Sequence, residues 1–561
     1  MNYNLRTHQV ESFFPHLSDV WDVGMMTPNL ITSAGFNFEL LGVPIDLTKF
    51  PVSHVGYING TGIIRIEFQA KDLKILAYYW APMTLEFRVI FLMLHLPDAW
   101  TSYGLVPEKV NAYLNANTID LEQIRLEQYE HDGFWIGQAV IYKQGLTSET
   151  CDKLIHQVRG AKPKLLLEAE QRWWSHWHRI QKVPAKIIGK RYDVAEQSAA
   201  FLKMAQSREP GLGRGQICRT LSPYATDVAS VRDMAYAIVA LSRMGHHIEA
   251  RDALSFMLNA QGGLFEREKH RESVWGLGQP YLISLSHYSG LGQERANYLQ
   301  GKPLLHLDGQ GLFLWALCEY VKFSSDIDFA KQHWNRIKSL VVVPLLGSLD
   351  KNGLVRRDSG LWDVSAPGEQ FSYTSISTFH GLSMAAVLAR TMEDPDAAMF
   401  FNQRAVALRE QILIKLTVGR THLIARSLET KKFPFFLDGA AVEAINWGVL
   451  NPMWETSRSL GKSLDVFLRV GDFDRGYALG YDEQKQKMPE NLFVTLRAIP
   501  ALRKIGEKKR AERIVDWITN QSAVNGEIIP EFFSADEARY QGAYPMIGQG
   551  AGAFLLAILP E

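Results

Sequence analysis

The periodicity of this chain changes once, near residue 145, and that change constrains the architecture more than any other feature. Before it, short runs rich in β-branched and aromatic residues follow the two-residue period of strands. Ile63–Gln69 places Ile64, Ile66 and Phe68 on one face and Arg65, Glu67 and Gln69 on the other. Comparable runs lie at Phe36–Leu41, Ile75–Trp80, Phe87–Leu96 and Phe134–Tyr142. Asn59-Gly60-Thr61-Gly62 joins two runs as a hairpin turn would, and this reading outweighs the glycosylation sequon it also spells. Several short strands separated by turn residues predict an antiparallel β-sandwich over residues 1–146.

After the change, Leu165–Ile180 is a polar helical pattern carrying Trp173, Trp174 and Trp177. Trp173 and Trp177, four apart, share a face, which predicts a packed helical linker over residues 147–190. From Tyr192 onward the pattern predicts twelve helices, near 192–207, 228–244, 247–260, 308–323, 326–343, 373–391, 395–416, 440–459, 462–470, 489–505, 507–521 and 548–558. Leu312–Leu317 and Ala551–Leu559 are apolar on most sides, whereas Phe329–Ser339 and Glu507–Asn520 have one charged face. A helix apolar all round is buried, and an amphipathic partner covers it. Six such hairpins predict an (α/α)6 toroid over residues 191–561, in a multidomain β plus α chain. An open solenoid would show shorter and more regular repeats than the spacing of roughly 50 to 80 residues between inner helices.

The charge balance removes several functions. Lys and Arg number 60, Asp and Glu also 60, and the formal net charge is zero. General nucleic-acid binders need a basic surplus to neutralise phosphates, so nucleic acid is not expected as a partner. Cys151, Cys218 and Cys318 are too few and too far apart for a disulfide framework or a thiolate zinc site. The first twenty residues show no apolar run behind a basic end, and stretches such as Val89–Leu96 fall far short of the ~20 residues of a membrane span. These features predict a soluble cytoplasmic protein without membrane contacts. GLGRG at Gly211–Gly215 lacks the Lys-Ser/Thr of a phosphate loop, and neither regular metal-ligand spacing nor a GxSxG motif occurs.

If the helices alternate in direction, every second connection falls on one rim. Those connections are Tyr224–Asp233, Glu272–Tyr281, His306–Gly311, Ser359–Tyr373, Phe436–Trp447, Met488–Phe493 and Gly526–Gln549. They concentrate Trp275, Trp362, Trp447, Tyr544, Asp308, Asp363, Asp438, Glu490 and Glu531. Aromatic faces beside carboxylates suit a sugar, whose C–H faces stack on rings while acids bind its hydroxyls. Asp308 and Asp438, each just before a helix, serve equally well as N-caps.

Four segments in this order resemble glucoamylase-type glycoside hydrolases of family 15. SVRDMAYAIVAL with GHHIEARDALSFML resembles the WxRD inner helix. SGLWDVSAPGEQFSYTSISTFHGLSMA resembles the general-acid segment, and LDGAAVEAINWGVL a later inner helix. GEIIPEFF with GAYPMIGQGAGAFLLAIL resembles the general-base segment. The resemblance spans residues ~165–561, behind a β-sandwich as in prokaryotic members. It implies inverting exo-hydrolysis of an α-glucosidic bond, releasing glucose from the non-reducing end of a malto- or isomalto-oligosaccharide or a related small α-glucoside. Asp363 aligns with the acid, Glu531 with the base, and Arg232 with Asp233 at the terminal sugar. Inversion requires two carboxyl groups flanking the bond, one donating a proton and one activating water.

The chain also departs from that pattern. Asp363 stands where Glu is expected, with Glu369 a nearby alternate acid, and Ser230 stands at the Trp of WxRD. The resemblance implies no cofactor and no metal, an oligosaccharide or small α-glucoside as partner, and a monomer or homodimer. An inverting disaccharide phosphorylase of similar architecture, needing one carboxylic acid, and a non-catalytic glucan-binding regulatory protein are the alternatives.

Overall fold

The computed structural model of the chain describes residues 2–4, 9–12, 31–40, 43–45 and 50–560, apart from 71–72, 86–87, 98–108, 117–119, 144–145, 209, 222–228, 267–268, 271–272, 275, 420–422 and 473. The chain folds into two compact units, one built on residues through Ile180 and the other from Gln181 onward.

The first unit holds two antiparallel sheets. One contains Asn2–Asn4, Gln9–Ser12, Ile31–Leu40, Val43–Ile45 and Lys109–Ala116. The other has six strands in the spatial order Leu121–Glu130, Gly133–Tyr142, Val89–Leu96, Leu73–Trp80, Ile64–Ala70, Val52–Tyr57. The hairpin over Asn59–Gly62 forms as the turn residues require. Gly60 takes φ 70°, and the Thr61 hydroxyl donates to the Ile58 carbonyl at 2.6 Å. Ile64, Ile66 and Phe68 point together into one core cluster. The opposite face collects Trp80, Phe91, Met93 and Trp135. Val89–Leu96 is thus buried on both faces, and its sequence is a nearly continuous apolar run for that reason. The edge strand Leu121–Glu130 escapes a sequence reading because only Ile124 and Leu126 of its buried middle positions are apolar, and the third, Gln128, is polar and breaks the alternation.

Helices α1 (Ser148–Val158) and α2 (Pro163–His178) lie over that second face, contributing Cys151, Leu154, Val158 and Leu167 to its core. The segment read as a linker therefore packs on the sheet. Trp174 and Trp177 are its buried tryptophans, three apart, in place of the expected Trp173–Trp177 face. The Glu170 carboxylate, also buried, accepts from the Met83 and Thr84 amides and from the Trp174 indole. Burial raises this carboxyl, and those donors partly offset the shift.

The second unit is helical. Its main helices are α3 (Lys190–Met204), α4 (Val231–Met244), α5 (His247–Asn259), α6 (Gly309–Ser324), α7 (Ile327–Ile337), α8 (Ser372–Thr391), α9 (Pro395–Lys415), α10 (Glu443–Asn446), α11 (Glu455–Ser463), α12 (Leu492–Lys504), α13 (Lys508–Ala523) and α14 (Ala553–Ile558). α4 and α6 are buried around almost their whole circumference, while α5, α7, α9 and α13 each expose a face. α4 packs on α6, α6 on α8, and α8 on the Gly439–Val442 turn that leads into α10. That turn and α10 pack on α12, α12 on α14, and α14 with the preceding Ile547–Gly552 turn on α4. Close approach needs glycine at two of these crossings. A Cβ on Gly311 would lie 2.5 Å from the Ser377 carbonyl, and one on Gly548 would lie 1.8 Å from the Asp233 carbonyl.

The helical run expected over 440–459 is two short helices. Gly448, at φ 80°, interrupts it, and Pro452 disfavours helical backbone at Asn451. Among the described residues, no helix is long and apolar enough to cross a membrane. The three cysteines are buried thiols.

Candidate functional site

The second unit contains a cavity of about 180 Å³ at the N-terminal ends of α4, α6 and α12. Its wall is assembled from segments remote in sequence. Ser230, Arg232 and Asp233 come from the start of α4, and His306 and Asp308 from the approach to α6. Trp362 and Asp363 lie before α8, and Glu531 before the final turn.

The start of α4 is built by Ser230. Its hydroxyl accepts the Asp233 amide as an N-cap and donates to the Asp233 carboxylate at 2.6 Å. Gln549 adds a backbone donor to the same carboxylate at 3.2 Å. Burial raises the Asp233 carboxyl, opposed by Arg219 and these hydrogen bonds. Arg232 is almost completely buried and is held by Asp308 through Nε at 2.8 Å and Nη2 at 3.2 Å. A third donor contact runs to the Gly360 carbonyl at 3.1 Å. Asp308, fully buried, makes no side-chain cap for α6; its carboxylate faces the guanidinium.

Behind Asp308 lies Asp358, which accepts from the Leu307 amide and the Thr374 hydroxyl. Burial and the neighbouring Asp308 charge push its carboxyl up to about 8.

Asp363 and Glu531 line the same cavity. Glu531 is held by Arg219 at 3.3 Å and by the Ala543 amide at 3.0 Å. Its main chain pairs with Ala543 and Leu492, and Gly542 leaves room for its side chain. Asp363 has a left-handed backbone, φ 49°, and its Oδ1 lies 2.8 Å from His306 Nε2. The packing around it raises the carboxyl, but the His306 contact and the charges of Arg232 and Arg219 outweigh that and hold it well below the usual carboxylate range. Trp362 forms a neighbouring wall. Its indole N–H points to Asp438 at 3.4 Å, and the Arg426 guanidinium lies 4.6 Å over its ring.

The other residues singled out from sequence lie elsewhere. Asp438 caps the Gly439–Val442 turn by accepting from Ala440, with its carboxyl pushed up to about 6 by burial. Trp447 is a core residue stacked on His380 at 4.9 Å. Glu490 is fully buried and bonded to Arg475, the Gly476 amide and the Trp517 indole. Its strand neighbour Phe533 lies two residues past Glu531, so Glu490 anchors the loop that carries Glu531. Tyr544 is half exposed against Tyr540 and does not line the cavity. Glu369 also lies off the cavity wall, bonded to Arg426, Ser427 and Thr430. Trp275 lies outside the described residues. Arg219, His287, His306, Asn491 and Gln549 also line the wall without having been singled out. Of these, His306 carried the nearest signal, an imidazole two residues before Asp308.

Among the described residues no group of three or more His, Cys, Asp or Glu side chains is arranged to hold a metal ion.

The architecture is a glycosidase-like fold. It is similar to that of a bacterial glucoamylase solved in complex with acarbose, at TM-score 0.62 and 12% identity over 97% of this chain and 89% of that one. It is also similar to a glycosidase solved in complex with glucose, at TM-score 0.53 and 16% identity over 67% of this chain and all of that one. In sequence, the chain is 24% identical to Trehalase 1 of Sulfolobus acidocaldarius over 156 residues, spanning 26% of each protein. No protein-family model matches.

Proposed function

We propose that the chain is an inverting, exo-acting α-glucoside hydrolase that releases glucose from the non-reducing end of malto- or isomalto-oligosaccharides or related small α-glucosides. In this reading the second unit is an (α/α)6 toroid, the first a β-sandwich, and the protein acts in the cytoplasm. One observation carries the reading: Asp363 and Glu531, 168 residues apart in sequence, line a single cavity together with Arg232, Asp233 and Asp308. A terminal glucose would sit among those three, its hydroxyls bound by the guanidinium and the buried carboxylates. Trp362 would stack on the ring. Glu531 would take a proton from the water that attacks the anomeric carbon, and the glycosidic oxygen would leave with a proton from the Asp363 side of the cavity.

Incubation with maltose, isomaltose, kojibiose and trehalose, with and without inorganic phosphate, tests this reading. Release of free glucose without phosphate supports it. Formation of glucose 1-phosphate only when phosphate is present would replace it with the phosphorylase reading. Binding without turnover would replace it with the regulatory one. The trehalase likeness makes trehalose the most informative of the four.

A further inference from the structure

We propose that Arg219 is a positioning residue for the base, holding the Glu531 carboxylate at the cavity wall where it can take a proton from the attacking water. The inference deepens the hydrolase reading and rests on it. Glu531 lies outside helix and strand, and its side chain is 25% exposed, so its own backbone does not fix where the carboxylate points. Two donors fix it instead. The Ala543 amide donates to Oε2 at 3.0 Å, and the Arg219 guanidinium donates to Oε1 at 3.3 Å. Each oxygen is held by one donor and keeps a second lone pair for water.

The backbone is arranged to make this contact. The Arg219 carbonyl accepts from Ile547 at 3.0 Å, Leu221 donates to the Pro545 carbonyl at 3.4 Å, and Thr220 pairs with Met546 between them. The opposite edge of the same segment pairs with the run that carries Glu531. There Met546 donates to the Ile529 carbonyl and Glu531 to the Ala543 carbonyl, each at 2.9 Å. Residues 543–547 therefore lie between Arg219 and Glu531, and a side chain that reaches across them has to be as long as arginine. The near end of the Arg219 segment is anchored as well, by pairing of Ile217 with Gln206 and by the Cys218 amide donating to Ala205 at 3.1 Å. Charge adds to geometry. Asp233, Asp363 and Glu531 line the cavity, Asp308 is paired with Arg232, and Arg219 is the other guanidinium of the wall. Its charge also favours the ionised forms of Asp233 and Asp363. Placement of Glu531 and general neutralisation of an acidic wall are thus two separate effects of one side chain, and they separate by experiment.

The test is a kinetic double-variant cycle on 4-nitrophenyl α-glucoside, whose activated leaving group keeps slow variants measurable. It compares wild type, Arg219→Gln, Glu531→Gln and the protein carrying both. Arg219→Gln is expected to lower kcat by ~10²-fold, with KM within about threefold of wild type, because a misplaced base slows the reaction more than it weakens binding. Arg219→Lys keeps the charge without the planar fork and should recover about tenfold of that loss. In the Glu531→Gln background no carboxylate remains to be placed, so Arg219→Gln should cost less than about twofold more. An equal loss in both backgrounds would overturn the proposal, because Arg219 would then act on Asp233, on Asp363 or on the fold. A raised KM with unchanged kcat would also overturn it, by making Arg219 a sugar ligand. Should Arg219→Gln fail to fold, Arg219→Lys enters the same cycle with an expected ~10-fold fall in kcat that vanishes beside Glu531→Gln. If wild type hydrolyses neither this glucoside nor the four disaccharides, the hydrolase reading itself fails and takes the inference with it.

Discussion

Removal of the Asp308 carboxylate leaves the Arg232 guanidinium buried with the Gly360 carbonyl as its remaining acceptor among the contacts described above. Breaking one side of a buried ion pair costs about 3–5 kcal/mol, because the surviving charge has lost both water and partner. Asp308→Ala is therefore expected to lower stability by that amount, a fall in Tm of roughly 4–6 °C for a unit of this size. Arg232→Met leaves Asp308 stranded beside Asp358 and should cost a similar amount. In the double variant neither charge remains, and its cost should fall several kcal/mol short of the sum of the singles. Urea titration of all four proteins measures the cycle. Additive costs, or an Asp308→Ala protein within 0.5 kcal/mol of wild type, would refute the idea that the pair holds this corner of the cavity.

Three further outcomes follow from the same geometry. Glu531→Gln should lose ~10²–10⁴-fold in kcat, whereas Glu369→Gln should stay within about twofold of wild type; the reverse order in a kinetic assay would move the chemistry to Glu369. A Cβ on Gly480 would lie 2.3 Å from Trp362 Cη2 and 2.9 Å from the Leu437 carbonyl, so Gly480→Ala should push the indole out of place. The loss of a stacking wall should raise KM by about 2- to 10-fold; an unchanged KM would remove Trp362 from the sugar's surroundings. Asp358 has its carboxyl raised from the usual range to about 8, so the folded protein binds that proton more tightly than the unfolded chain. Its contribution is complete below about pH 4 and is lost as pH rises toward 8. Asp358→Asn, which keeps an acceptor for Leu307 and Thr374, should flatten that decline in a pH series of urea melts; an unchanged slope would contradict it.

Much of the fold was legible because periodicity records burial. Ile64, Ile66 and Phe68 alternate because one face of their strand is buried, and α6 is apolar all round because helices cover it on every side. The break at Gly448 was missed because a short interruption leaves little periodic signal, and the edge strand Leu121–Glu130 because a polar residue, Gln128, takes one of its buried positions. At the site, residue type alone could not separate a cap from a ligand. Asp308 and Asp438 occupy the same position before a helix, yet one faces Arg232 across the cavity wall and the other caps its turn. Nor could it show that Glu490, chosen with the sugar-facing acids, is fully buried against Arg475. Arg219 and His306 escaped notice because what marks them is the carboxylate each one meets, 312 and 57 residues away.

The stereochemistry of a single turnover bears most directly on the claim that an acid and a base face each other across one sugar and one water. Proton NMR during the first minutes of 4-nitrophenyl α-glucoside hydrolysis, which releases a single glucose, distinguishes its anomers before mutarotation mixes them. Attack by water opposite the leaving group converts an α-glucoside to β-glucose, and that signal should rise first. Initial appearance of α-glucose would mean retention, and would contradict the pairing of Asp363 with Glu531 in direct displacement.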